Sequence, residues 1–396
     1  MKILTAVILV VLIAGAGALY YLYPTLYGLK PDNTDTPKLS DLINSPDDPN
    51  SGSPSAQTSA NILAETIIVE GLDTPWAIAF LPSGDMLVTE RKGTVRLVQK
   101  NGTLQEAPVA TISTVKEIGE GGLLGLALHP KFSENNLVYL YYTYAAEGDN
   151  TQNRVVSMKY TDGKLAEEKI LLDRIPGASN HNGGRIKFGP DNYLYITTGD
   201  AQEPSLAQDT MSDAGKILRV NPETGEGVPG NLNNSQVYSF GHRNPQGIDW
   251  DSNGNLWETE HGPSGGSLGT GNDEVNFIEA GKNYGWPEIQ GEQTRDGMVT
   301  PIKNSTPSVA WAPGGTAVVG ENLYFSGLRA QALYRSKIEN GRIRTVEELL
   351  KGRYGRIREV IQGPDGMLYI TTSNRDGRGV AGASDDRIIR INPTKI

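Results

Sequence analysis

The chain has 396 residues, of which 21% are charged and 7% aromatic, with 47 glycines and a formal net charge of −10. That acidic balance, with no run of basic residues, excludes a nucleic-acid polyanion as partner, because phosphate binding draws on clustered Lys and Arg. There is no cysteine, which excludes disulfides, thiolate metal sites, thiol chemistry and a lipoprotein anchor.

Taken in chain order, Met1 and Lys2 lead into an uncharged, mostly apolar stretch from Ile3 to Tyr23. Its length is about the 20 residues that a helix needs to cross a bilayer. Tyr20, Tyr21 and Tyr23 sit at its outer end, where aromatic side chains favour the membrane interface. Ala16-Gly17-Ala18 also resembles a small-residue cleavage site. Residues 1–23 therefore read as an apolar helix, either a retained anchor or a cleaved signal. Both readings place the remainder outside the cytoplasm, with membrane contact only through this segment. From 24 to 61 the composition turns to Pro, Asp, Asn, Ser and Thr. Such a segment cannot bury enough apolar surface to offset its ordering entropy, which predicts a flexible linker. The folded domain is expected over 62–396.

Within that domain one pattern keeps returning. Pro82-Ser83-Gly84-Asp85-Met86-Leu87-Val88-Thr89 matches the stretches Pro190–Thr197 and Pro364–Thr371, with weaker copies at Asp251–Trp257 and Gly320–Tyr324. In each, a turn feeds a short apolar strand, as in a hairpin. A second element follows several copies: Gly93–Leu97, Lys216–Val220 and Arg387–Ile391 alternate basic and apolar residues, which predicts a strand with one wet face. Repetition of such units at tens of residues signals a propeller or a solenoid. About six units fit, with Leu137–Tyr144 in the least regular one. The predicted fold is all-β, a six-bladed β-propeller of four-stranded antiparallel sheets.

On a propeller, chemistry resides in the loops at one end of the channel. Four stretches interrupt the repeat. Asn180-His181-Asn182-Gly183-Gly184-Arg185 has paired glycines that let the backbone pass close to something bulky. Gly241-His242-Arg243-Asn244-Pro245-Gln246-Gly247 is dense in hydrogen-bonding groups. Glu260-His261-Gly262-Pro263, leading to Asn272-Asp273-Glu274, is oxygen-rich and suits a hard cation such as Ca²⁺, main-chain carbonyls included. Arg356 and Arg358, two apart on a strand, point to one face, and Arg329 would complete a cluster suited to a polycarboxylate. Two motif matches fail on context. Asp249–Glu260 fits an EF-hand loop but opens a repeat strand instead of joining helices. Gly262–Gly266 fits a nucleophile elbow at Ser264 but is followed by more glycine, not a helix.

These stretches, together with Gly119–Pro130, Asp273-Glu274-Val275-Asn276, Asn283–Pro287 and Arg356-Ile357-Arg358-Glu359, resemble in order the soluble quinoprotein glucose and aldose sugar dehydrogenases, from about Thr66 to Asn392. The resemblance implies a six-bladed propeller that binds pyrroloquinoline quinone (PQQ) and Ca²⁺ and oxidises aldoses at C1 to the lactone. It implies His181 as general base, Arg243 as the group polarising the quinone, and Asn244, Gln246, Arg329, Arg356 and Arg358 as cofactor contacts. Gly262 and Pro263 would supply main-chain oxygens to the cofactor's Ca²⁺, and Glu274 and Tyr284 a second Ca²⁺. Glu120 stands where the best-known glucose-oxidising members have Gln, Asn180 where some relatives have Asp, and Ala310-Trp311-Ala312 departs from the glucose enzymes. Broad aldose use, with electrons passed to an external quinone, dye or cytochrome, by a monomer or homodimer, is the expectation. The rival readings are a non-catalytic sugar- or protein-binding propeller and a Ca²⁺-dependent lactonase propeller. The Arg-rich site favours an anionic cofactor over both.

Overall fold

The computed structural model describes residues 64–148, 150–263 and 271–396. The expected anchor or signal 1–23, the linker 24–61 and Ser264 lie outside the described residues. Among those described, no helix is long and apolar enough to cross a membrane.

Six antiparallel sheets carry the chain, each with four strands in sequence order, one of them extended by a fifth strand, Glu347–Leu349. The sixth blade joins the two ends of the described chain. Glu65–Val69 pairs antiparallel with Ile388–Ile391, which follows Ile357–Gln362 and Leu368–Thr372. The first strands of the six blades, Pro75–Phe80, Leu123–Leu128, Ile186–Phe188, Pro245–Trp250, Pro313–Val319 and Ile357–Gln362, all line one central channel cavity of about 270 Å³. This is the six-bladed propeller that the repeats predict.

The repeat is legible in the packing. In Leu368–Thr372, Leu368 and Ile370 pack back on Ala317, Tyr324 and Leu333 of the fifth blade, while Tyr369 packs forward on Ile78, Met86 and Val88 of the first. Alternate side chains of a strand face opposite ways, so one apolar strand joins two blades. Full burial of such a residue is worth roughly 1.5–3 kcal/mol. The recurring turn has a physical reason too. Gly84, Asn192, Gly254 and Gly366 each stand two residues before the second strand of their blade, and each has a positive φ. Asp191, Asp251 and Asp365 accept hydrogen bonds from backbone N–H groups two residues on, closing the turn. The EF-hand match at Asp249–Glu260 dissolves here. Asp251 serves the turn, and Asp249 pairs with Lys187 at 2.6 Å.

One expectation needs correcting. The strand Lys216–Val220 was expected to wet its basic residues, yet Lys216 is completely buried, and burial pushes its pKa down to about 8. Its ammonium donates to the carbonyls of Leu206, Ala207 and Ala214, a 206–214 loop that supplies the acceptors water would otherwise offer. The second blade is the irregular one, as expected: it enters Leu137–Ala145 through a short helix, Phe132–Asn135, and continues in two long strands.

Candidate active site

The functional stretches gather for a topological reason. In an antiparallel blade, the start of the first strand and the end of the second lie at the same end of the sheet. Glu120, His181, Arg243, Ala312 and Arg356 precede or open first strands, whereas Asp200, His261, Arg329 and Arg378 follow second strands. The repeated turns occupy the other end. Loops from five blades therefore converge on a cavity of about 580 Å³ lined by Glu120, Asn180, His181, Gln202, Arg243, His261, Ala312, Leu328, Arg329, Arg356, Arg358 and Arg378.

His181 is held in a left-handed conformation, φ 60°, a state that costs a non-glycine residue of order 1 kcal/mol. The surroundings impose it. Its N–H donates to Glu120 Oε2 at 3.2 Å, and its carbonyl accepts from Ala201 N at 3.2 Å. The bulk that the paired glycines were expected to admit is the neighbouring strand end: a Cβ on Gly183 would stand 2.5 Å from the Thr197 oxygen, and one on Gly199 2.0 Å from that of His181. The imidazole Nδ1 lies 2.7 Å from Asp200 Oδ1, and Asp200 Oδ2 accepts the Trp286 indole N–H at 2.8 Å. Nε2 has no hydrogen-bond partner among the described residues and belongs to a side chain that borders the cavity. An imidazole so fixed offers one free nitrogen for proton transfer.

Facing it is a surplus of positive charge. Arg356 pairs with Asp376 at 2.8 Å and Arg378 with Glu120 at 2.6 Å. Among the described residues, Arg243, Arg358 and the exposed Arg329 have no carboxylate partner, and the buried Nε atoms of Arg243 and Arg358 have no hydrogen-bond acceptor. Burial, with Arg356 alongside, pushes the Arg358 guanidinium down to about 9. His261 donates from Nε2 to the Pro313 carbonyl at 2.7 Å, and burial with Arg358 and Arg243 nearby holds it neutral, at about 3. Glu120 stays ionised, at about 2. Burial alone would raise it, but His261, Arg378 and the His181 N–H outweigh burial. Since His261 carries charge only in acid, Arg378 and the His181 N–H hold that carboxylate at neutral pH.

Of the residues singled out from the sequence, Glu120, His181, Arg243, Arg329, Arg356 and Arg358 line this cavity. Asn244 and Gln246 lie beneath it. Asn244 accepts the Gly183 N–H at 3.0 Å and donates to Glu120 at 3.4 Å, and Gln246 accepts from Arg358 at 2.5 Å. Gly262, Pro263, Glu274 and Tyr284 border an adjoining crevice of about 10 Å³, shared with Arg243 and His261. That is room for about one water-sized occupant. Asp273 fixes Gly262, accepting its N–H at 2.9 Å and those of Trp311 and Ala312 at 2.6 and 2.9 Å. The Tyr284 phenol donates to the Phe277 carbonyl at 2.6 Å, so a cation would meet this residue at its main-chain oxygen. Asp200, Gln202, Trp286 and Arg378 were not picked out as site residues. Asp200 carried a signal: a carboxylate three residues past the repeat's Thr197, where other copies have Lys92, Gly262 and Asn374.

A family model for glucose/sorbosone dehydrogenases matches residues 72–386. A Thermus thermophilus protein of known crystal structure is 46% identical, over 82% of this chain and 98% of its own, with a TM-score of 0.77. The PQQ-bound aldose sugar dehydrogenase of Streptomyces coelicolor is 38% identical, over 82% and 96%, with a TM-score of 0.76. Aldose sugar dehydrogenase of Escherichia coli is 29% identical, over 78% of this chain and 90% of its own.

Proposed function

The chain belongs to the glucose/sorbosone dehydrogenase family, and from that premise we propose that it is a PQQ- and Ca²⁺-dependent dehydrogenase that oxidises aldoses at C1 to lactones. What carries the reading is one juxtaposition: a histidine oriented by a buried aspartate faces guanidinium groups that lack carboxylate partners across a single cavity. The chain's own residues fit a tricarboxylate cofactor, because buried Arg Nε atoms without acceptors are the groups such an anion would satisfy.

Arg243, Arg329, Arg356 and Arg358 would hold PQQ, and the main-chain oxygens of Gly262 and Pro263 its Ca²⁺, with Glu274 and Tyr284 at a second Ca²⁺. When bound, PQQ supplies the two-electron acceptor for the hydrogen leaving C1, and Ca²⁺ makes it a stronger one. His181 Nε2 takes the proton of the C1 hydroxyl while the C1–H bond breaks and the C1=O bond of the lactone forms. Asp200 accepts Nδ1–H, fixes the tautomer and steadies the imidazolium as it gains charge. Asn244 and Gln246 position Glu120 and Arg358 from below. Arg378 spans from Glu120 to Asn180, donating to both at 2.6 and 2.7 Å, and so closes the sugar side of the cavity.

The reading carries with it an extracytoplasmic location, residues 1–23 as signal or anchor, 24–61 as linker and 62–396 as catalytic domain, broad aldose use, and an external electron acceptor. The test is reconstitution. Purified apoprotein receives PQQ and Ca²⁺, and dye reduction is followed with a panel of aldoses. Turnover that needs both additions and vanishes in His181→Ala supports the reading. Failure to bind PQQ, with no sugar oxidised, would leave a non-catalytic binding propeller.

A further inference from the structure

Behind the cavity, the fourth blade buries more carboxylate than its surroundings can neutralise. Register places Glu258 opposite Asn276 and Glu260 opposite Glu274 on adjacent strands, Leu256–Glu260 and Glu274–Ile278. Residues two apart share a face, so all four side chains crowd one side of the sheet. His242 closes over them. It is completely buried, as are Glu258 and Asn276, while Glu260 is 3% exposed. One ligand atom from each of His242, Glu258 and Glu260 lies within 4.8 Å of the others.

Among the described residues, none of the three glutamates pairs with Lys or Arg; Glu260 has only His242, at 3.1 Å. The cluster is also short of hydrogen-bond donors. Asn276 Nδ2 touches Glu258 Oε2 at 3.0 Å and Glu260 Oε1 and Glu274 Oε2 at 3.3 Å each, three acceptors for two hydrogens. Glu274 Oε1 accepts the Gly291 N–H at 3.3 Å, but Glu258 Oε1 and Asn276 Oδ1 are buried with no partner among the described residues. A buried carboxylate without a donor is costly, and a cation is the occupant that satisfies several at once. The amide that reaches into the cluster thus carries an unpartnered oxygen, and a half-turn exchanges it with the nitrogen.

We propose that His242, Glu258, Glu260 and the Asn276 amide bind one divalent transition-metal ion, zinc or manganese, at a nitrogen-containing site that adjoins Glu274, the residue assigned above to a second Ca²⁺. One imidazole nitrogen among carboxylate oxygens favours such an ion over calcium, which takes oxygen ligands. The ring is already oriented for it. Nε2 lies 2.9 Å from Ser239 Oγ, the outer hydrogen bond that commonly fixes a metal-binding imidazole and leaves Nδ1 inward. The ion's role follows from Glu260, whose Oε2 accepts the N–H groups of Arg243 at 2.7 Å and Asn244 at 3.3 Å. Metal on Oε1 would lock the strand end that holds the loop of the arginine cavity.

The untagged full chain, stripped with a chelator and kept in excess Ca²⁺ to fill oxygen-only sites, is presented with Zn²⁺ or Mn²⁺ and desalted. Metal analysis is expected to find about one equivalent retained by the wild type, with a raised Tm, and neither effect in Glu258→Gln. Should that variant not fold, His242→Gln is read in the same way. Two results overturn the proposal: a wild type that retains no transition metal, or Glu258→Gln retaining as much as wild type. The former, with an equal or higher Tm in Glu258→Gln, would mean that protons hold the cluster together; the latter would place the metal elsewhere. No step of this test needs PQQ or turnover, so it stands or falls apart from the dehydrogenase reading.

Discussion

Nδ1 of His181 lies 2.7 Å from Oδ1 of Asp200, 19 positions on in the chain, and this contact turns a loop histidine into an oriented base. Asp200 is completely buried, and Trp286 and the N–H of Gln202, 2.9 Å away, hold its two oxygens in place. Replacing Asp200 by Asn removes the negative charge, and with the amide oxygen kept on the Trp286 N–H the amide NH₂ faces Nδ1 and favours the wrong tautomer. Asp200→Asn is expected to lower kcat by roughly 10²-fold or more, the scale of a general-base contribution, while KM for the sugar changes little. His181→Ala should abolish turnover. Steady-state dye reduction with the reconstituted enzyme checks both; an Asp200→Asn enzyme with wild-type kcat would remove Asp200 from the mechanism.

Arg358 is a buried cation without a carboxylate, an arrangement that costs the apoprotein stability and serves an anionic guest. Arg358→Ala is expected to weaken PQQ binding by about 10- to 100-fold, the equivalent of one charged hydrogen bond at about 1.5–3 kcal/mol. The same variant should leave the apoprotein's Tm equal or higher, because the unpaired charge goes with it. Titration of apoprotein with PQQ and thermal unfolding of the unliganded chain measure the two effects. Loss of both affinity and apo stability would mean that Arg358 serves the fold.

The Glu120 carboxyl is held at about 2, against an ordinary carboxylate value near 4.5. A depressed folded-state value contributes stability that is present above the unfolded value and lost as pH falls through the folded one. The Tm advantage of wild type over Glu120→Gln is therefore expected to be full at pH 6 and to shrink between about 4.5 and 2. Arg378 is half exposed, so salt should reduce the advantage as well. Thermal melts across that pH range decide it; a gap independent of pH would mean that the charge on Glu120 contributes nothing.

Lys216 donates to three carbonyls from inside the third blade, joining the strand to the 206–214 loop beside Asp200 and Gln202. Lys216→Met keeps most of the volume and deprives those carbonyls of a donor. Unsatisfied buried acceptors cost about 1–3 kcal/mol, so the urea midpoint should fall while the protein remains folded. An unchanged midpoint would show that water replaces the ammonium there.

The sequence by itself determined the scaffold. Blade number and hairpin positions were legible because the turn chemistry repeats: a glycine or asparagine two residues before an apolar strand recurs wherever the backbone must turn left-handed. His181, Arg243, Arg329, Arg356 and Arg358 were legible as polar residues that interrupt the repeat, and Glu120 through the family resemblance; all six line the cavity. Asp200 and Arg378 were not picked out: Asp200 meets His181 only through the pairing of two strands within the third blade, and Arg378 meets Glu120 only when the blades close into a ring. The buried charge was equally invisible. Lys216 and Glu258 occupy strand positions where alternation predicts solvent, and only the neighbouring loop and the paired strand decide that they face the interior. Alternation fixes which side of a sheet a residue takes, but what covers that side is a matter of distant chain, and that only the tertiary structure supplies.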